Sequence, residues 1–275
     1  MNYIELNILC NDELAEILIA ELACYPFDSF ATEPNTLKAY IPQEKMADYY
    51  DRVEALLAHY GIQERRYIVI EAQNWNALWE SNFPPVEVDD VVAIRAPFHA
   101  PYPTFRFDIV ITPKMSFGTG HHATTYLMSR ATASRDFTGK RVLDMGCGTG
   151  VLAIIAAGCN AESVDAVDID EWAYENCTEN CQVNGVEEKV SVYLGDMSTI
   201  RGKRYDTILA NINRNILLAD MPHYTEALNP GGELIMSGIL EGDIQAIRMR
   251  AEELGLTFVG CDLKDGWAAV VTRKE

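Results

Sequence analysis

The sequence predicts an α/β protein in two parts: a small βαββαβ sandwich, then a larger, mostly parallel sheet covered by helices on both faces. Three observations predict it. Over the first seventy residues, period-two and helical apolar spacings alternate on a short scale. From Arg141 onward, apolar strand-like runs alternate with amphipathic stretches, as in a parallel sheet with helical crossovers. The length of 275 residues also suits about two domains, at roughly 150 residues each.

The first strand is Tyr3–Leu9, where apolar and polar residues alternate. Asn11-Asp12-Glu13 then supplies a cap and first-turn acids for a helix on which Leu14, Ile17, Leu18 and Leu22 recur. Residues 30–32 and 36–41 flank the turn Glu33-Pro34-Asn35 as a hairpin. A second helix carries Met46, Tyr49, Tyr50, Val53, Leu56 and Leu57 and stops at Gly61, and 67–70 reads as a fourth strand. That order suggests a ferredoxin-like domain over residues 1–71. Within residues 1–55, eleven acids against three bases leave an excess of eight negative charges, either a docking face for a cationic partner or a solvated acidic surface.

Residues 72–114 have a different character. Trp75 and Trp79, four apart, share one face of a short helix, and six prolines between Pro84 and Pro113 favour extended, constrained chain. The zone reads as a linker helix with an extended lead-in to a larger domain spanning 115–275. There, strands are expected at Arg141–Met145, 164–169, Val190–Leu194, 205–210 and 233–237. Segments 257–261 and 267–272, joined by Lys264-Asp265-Gly266, close the sheet as an antiparallel hairpin. The sum is a seven-stranded, Rossmann-like sheet.

Composition narrows the function. With 48% hydrophobic and 23% charged residues the chain is globular, and its net charge of −19 argues against broad binding to a phosphate backbone, so no nucleic-acid partner is expected. Met1 to Glu5 lack the basic and apolar regions of a signal peptide, and no apolar run reaches eighteen residues, so no membrane association is expected either. Seven scattered cysteines without a CxxC pair fit free thiols in a reducing cytoplasm, where the sequon Asn176-Cys177-Thr178 is chance. Metal binding is not expected: His121 and His122 are adjacent, and neighbours in sequence point to different faces. A cytoplasmic monomer is the expectation.

The strongest local signal is Val142-Leu143-Asp144-Met145-Gly146-Cys147-Gly148-Thr149-Gly150: a strand, an acid and three alternating glycines opening a helix. Gly146 and Gly148 would let a ligand approach the backbone. Position 151 is Val151, so the dinucleotide fingerprint is incomplete, and Asp144 points to a cationic group or a water and would repel a pyrophosphate. Asp168, twenty-two residues after Gly146, ends the next strand, where a carboxylate can accept from ribose hydroxyls; Asp170 suits a helix cap better. Asp196 could read an adenine amino group or cap a helix, and Met197 could cover the ring. Adenine, ribose and an acid facing a cation describe adenosylmethionine better than NAD. At the end of the fourth strand, Asn211 offers a side-chain carbonyl to an incoming amine, whereas Asn213 and Arg214 suit cap and surface. Upstream, Phe117 could close the site from water and Thr125 could bond the methionine end of the ligand, with helix capping by Thr124 or Thr125 the competing role.

Asp144 to Gly150, Asp168, Gly195-Asp196 and Leu228-Asn229-Pro230-Gly231-Gly232 together resemble class I adenosylmethionine-dependent methyltransferases. A closer resemblance, to the bacterial family that methylates ribosomal protein L11, rests on Phe117-Gly118-Thr119-Gly120-His121-His122-Ala123-Thr124-Thr125, on Asn74-Trp75-Asn76-Ala77-Leu78-Trp79 followed by Phe83, and on Ala210-Asn211-Ile212. It spans nearly the whole chain. The resemblance implies S-adenosylmethionine as donor, L11 as protein substrate, an N-terminal domain that docks it, a linker that lets that domain swing, and methylation of lysine side chains and the N-terminal amine. By motif position it implies Thr125, Gly146, Asp168 and Asn211 as donor contacts. Two features depart from the family pattern: His122 beside the motif histidine, and Asn213-Arg214-Asn215 after the Asn-Ile pair. Three other classes are weighed. A methyltransferase of nucleic-acid bases or small molecules would favour Pro-Pro-aromatic after Asn211, an NAD(P)-dependent dehydrogenase is opposed by Asp144 and Val151, and a non-catalytic adenosylmethionine sensor would not need Asn211.

Overall fold

The computed structural model describes residues 2–70, 83–114 and 116–275. The chain divides into two compact units, Met1–Asn82 and Phe83–Glu275.

The first unit runs β1 Tyr3–Leu9, α1 Asp12–Leu22, β2 Ser29–Glu33, β3 Thr36–Pro42, α2 Gln43–His59 and β4 Arg65–Ile70. Its strands pair antiparallel in the order β2-β3-β1-β4. Local chemistry sets the ends. Asn11 Oδ1 accepts from the Leu14 amide at 2.9 Å and caps α1. Pro34-Asn35 forms the two-residue turn between β2 and β3, with Asn35 at φ 59°, a value asparagine tolerates. Leu6, Ile8, Leu37, Ala39 and Ile41 face Leu18, Leu22, Val53 and Leu57 of the helices, all fully buried.

The segment carrying Trp75 and Trp79 lies outside the described residues. The rest of the expected lead-in differs from expectation. Residues 83–114 join the second unit and contain β5 Val86–Val88, β6 Val92–Arg95 and β7 Phe107–Val110, a small sheet of their own. The prolines fall outside these strands, and Val88, Val92, Ile94, Ile109 and Ile111 enter the main core. Proline bars a ladder donor only where it stands, so short apolar runs between prolines still pair.

The rest of the unit is α3 Ala123–Ala133, β8 Arg141–Met145, α4 Val151–Gly158, β9 Ser163–Asp168, α5 Glu171–Val183, β10 Val190–Leu194, a 3-10 turn Met197–Ile200, β11 Tyr205–Asn211, α6 Arg214–Ala227, β12 Leu228–Leu240, α7 Ile244–Glu253, β13 Leu256–Lys264 and β14 Trp267–Lys274. The seven-stranded sheet has the order β10-β9-β8-β11-β12-β14-β13. Its first five strands are parallel, and β14 and β13 close it antiparallel. Strand pleating divides the core. Val142, Leu209 and Ile235 pack with α3, α4 and α5, while Leu143, Ile208, Ala210, Leu234 and Met236 pack with α6 and α7. Strand order turns back between β8 and β11, so a crevice opens at the carboxyl edge there. All seven cysteines are free thiols, and no helix among the described residues is long and apolar enough to cross a membrane.

Candidate functional site

At that carboxyl edge a cavity of about 400 Å³ is lined by Phe117, Gly146, Gly148, Asp168, Asp196, Met197 and Asn211, which come from five separate stretches of sequence. A larger hollow, about 790 Å³, lies around the amino-terminal edge of the sheet. There Glu233 accepts from Arg135 at 2.8 Å and from Arg273 at 2.7 Å, and of the motif residues only Pro230, Gly231 and Gly232 line it, at the start of β12 and away from the carboxyl ends of the strands.

The glycine turn is built from its backbone. Gly146, at φ 71°, donates to the Val167 carbonyl at 2.8 Å, and a Cβ there would stand 2.4 Å from Ile212 Cγ2. Gly148 is small for another reason: a Cβ would lie 2.2 Å from the Phe117 carbonyl oxygen, so the protein's own upstream loop takes that space. The Asp168 carboxylate is held by the Gly148 amide at 2.9 Å and the Asp170 amide at 3.0 Å. A carboxylate has about four lone-pair sites, so acceptor capacity remains toward the cavity. Asp170 caps α5 through the Trp172 amide at 2.8 Å, as expected. Asp196 caps the 3-10 turn, accepting from the Ser198 amide at 2.8 Å, and lines the cavity; hydrogen bonding to the Ser198 side chain and amide holds its carboxyl below the usual carboxylate range.

Asp144 differs from its expected place. It is absent from the cavity wall and 1% exposed beneath the turn, where Oδ2 accepts from the Ala153 amide of α4 at 3.0 Å. Burial pushes its carboxyl up to about 7, against the lowering effect of that amide and with a further upward push from Asp168. Its side chain alternates inward and holds the helix start instead. Helix capping at α3 also departs from the Thr124 or Thr125 reading. His122 is the cap, with Nδ1 accepting from the Thr124 amide at 3.3 Å, and its ring packs between Phe117 and Trp267 at 5.4 and 4.6 Å. Asn213 caps α6 through the Ile216 amide at 3.1 Å, and Arg214 pairs with Asp243 at 2.7 Å.

Several buried side-chain atoms lack a hydrogen-bond partner, Asp144 Oδ1 among them; of these residues Asn211 lines the cavity and Thr125 does not. Asn211 Oδ1 and Thr125 Oγ1 are buried without a hydrogen-bond partner, a state that costs about 1–3 kcal/mol unless a ligand or water completes it. Asn211 ends β11 in the cavity wall, where its free carbonyl suits an amine donor.

Sequence reading missed a buried asparagine ladder on α5 and its C-cap. Asn184 exchanges two bonds with the Val110 backbone, at 2.9 and 2.7 Å. Asn180 and Asn176 do the same for Thr112, at 2.9 and 3.2 Å. The i, i+4, i+8 spacing of three asparagines was the available signal. Asn176 is fully buried, so the sequon is closed to glycosylation.

Comparison with known proteins identifies the family. A family model described as ribosomal protein L11 methyltransferase (PrmA) matches residues 16–275. The ribosomal protein L11 methyltransferase of Phocaeicola vulgatus is 39% identical over 279 residues, covering 98% of each chain. That of Bacteroides fragilis is 42% identical over 267 residues, covering 95% of this chain and 94% of its own. Among solved structures, a ribosomal protein L11 methylase from Lactobacillus delbrueckii subsp. bulgaricus superposes with a TM-score of 0.63 at 27% identity, over 70% of this chain and 99% of that one. A match over this much of the chain, at this identity, places the protein in the ribosomal protein L11 methyltransferase family.

Proposed function

We propose that this chain transfers methyl groups from S-adenosylmethionine to amines of ribosomal protein L11, on lysine side chains and at the N-terminus. The observation that carries the reading is the unpartnered Asn211 Oδ1 in the wall of a cavity that also holds Asp168, Asp196 and the glycine turn.

When bound, the donor supplies a methyl group already activated by its sulfonium. Asp168 accepts from the ribose hydroxyls with the lone pairs its two amides leave free. Asp196 would take the adenine amino group, Met197 would cover the ring, and the backbone at Gly146 and Gly148 would line the donor's side of the cavity. Thr125 offers its free hydroxyl to the methionine end. Asp144 supports the turn from below through Ala153, so its part in donor binding is indirect.

The acceptor must arrive with a lone pair. A free lysine amine has a pKa of about 10.4, so loss of a proton to water and a desolvated channel supply the neutral form. Asn211 Oδ1 would accept from an N–H of that amine and so orient its lone pair. Phe117 excludes water from the channel mouth. Alignment is then the main catalytic effect, and misplacement by about 1 Å can cost on the order of a hundredfold in rate. In the N-terminal unit, the acidic excess suits a basic protein substrate, brought to the channel as an enzyme-bound partner.

The test is Asn211→Ala. Methyl incorporation at saturating substrate should fall by about a hundredfold, with donor affinity changing much less than turnover. Unchanged turnover would remove Asn211 from the reaction.

A further inference from the structure

Loop 116–120 is tied to the glycine turn by two hydrogen bonds, and both come from one residue. The Thr149 amide donates to the Phe117 carbonyl at 2.9 Å, and the Thr149 hydroxyl donates to the Gly118 carbonyl at 2.8 Å. On its other side the Thr149 carbonyl accepts from Asn180 Nδ2 at 2.9 Å. Thr149 lies just outside α4, whose cap is Gly150, so that carbonyl has no partner in the helix ladder and the buried amide of α5 provides one. Both Thr149 and Asn180 are fully buried.

Space around the clamp is closed. A Cβ on Gly118 would stand 2.7 Å from Thr149 Oγ1, and one on Gly148 would strike the Phe117 carbonyl. Two consecutive loop carbonyls are therefore turned toward Thr149, which fixes the backbone of Phe117. Its ring, 54% exposed, projects from that fixed backbone into the cavity wall. Asn180 Oδ1 also accepts from the Thr112 amide, so the same side chain steadies the chain leading into the loop.

We propose that Thr149 is a positioning residue for methyl transfer: its hydroxyl and amide, braced by Asn180, hold Phe117 over the cavity while the Thr149 side chain lines no part of it. The inference rests on the reading that this cavity takes adenosylmethionine. In a pre-ordered loop the ordering cost is met before the donor binds, so losing the clamp weakens donor binding more than it slows the aligned transfer.

The experiment compares Thr149→Val, which keeps shape and branching but loses the hydroxyl, with Thr149→Ser, which keeps the hydroxyl. Adenosylmethionine affinity by calorimetry, kcat and KM, thermal unfolding and exchange of the position-149 amide, which donates to Phe117, are read for each. Thr149→Val should bind the donor about tenfold more weakly, raise its KM more than it lowers kcat, and exchange its position-149 amide faster, with Thr149→Ser close to the parent. Parent-like donor affinity and exchange in Thr149→Val would overturn the proposal. Should Thr149→Val unfold, Gly118→Ala decides from the loop side, since its methyl displaces the same hydroxyl; parent-like affinity there overturns the clamp equally. Failure of the unmodified protein to bind adenosylmethionine would instead sink the reading of the cavity, and exchange of the position-149 amide would still report the clamp.

Discussion

Asp144 marks the difference between a motif position and the work its side chain does. Sequence spacing gives an acid before the glycine turn, and the fold turns that acid inward, where its carboxyl rises to about 7. The folded chain therefore holds this proton more tightly than the unfolded chain, whose value is near 3.8. Between about pH 4 and 7 the unfolded state loses the proton first, so this group's contribution to stability falls as pH rises through that window, by on the order of a few kcal/mol. Asp144→Asn should flatten that slope, and urea unfolding of both proteins at the two ends of the window reads it. Parallel pH profiles would show that Asp144 is not the group responsible. Asp168, Asp196, Met197, Gly146 and Asn211 stand in the cavity wall because their signal is local, a chemical type at the carboxyl end of a strand. His122 as a cap was not legible, because histidine is a rare cap and the ring is chosen by its neighbours Phe117 and Trp267.

Elements place these residues through a few close backbone contacts. Between Met236 and Ile239 the β12 register shifts, and Gly238 there has φ 86° with its missing Cβ 2.2 Å from the Ile212 carbonyl. That contact seats the residue that follows Asn211. Gly238→Ala should cost roughly 1–3 kcal/mol and also depress methyl transfer beyond what the stability loss explains, seen by pairing thermal unfolding with turnover on the folded fraction. Strand and helix positions in both units were legible, because periods of two and 3.6 are written within ten residues of sequence. The lead-in strands and the asparagine ladder were not. Prolines dominate the local reading of 83–114, while the burial of Ile94, Ile109 and Ile111 depends on a core assembled from residues further along the chain. Asn184 likewise finds Val110, 74 positions away, only in the folded chain.

At the scale of the whole molecule, the chain joins a small acidic βαββαβ unit to a seven-stranded methyltransferase unit. A net charge of −19 steers basic proteins toward it, so association with the protein substrate should weaken as salt rises, while donor binding, which rests on close contacts within the crevice, changes less. The most direct measurement is intact-mass spectrometry of L11 from an undermethylated source, incubated with the enzyme and adenosylmethionine, followed by mapping of the modified positions. A ladder of methyl increments on lysines and the N-terminal amine is the predicted result, absent when Asn211 is replaced by alanine. An unmodified L11 in the presence of enzyme that binds adenosylmethionine would contradict it.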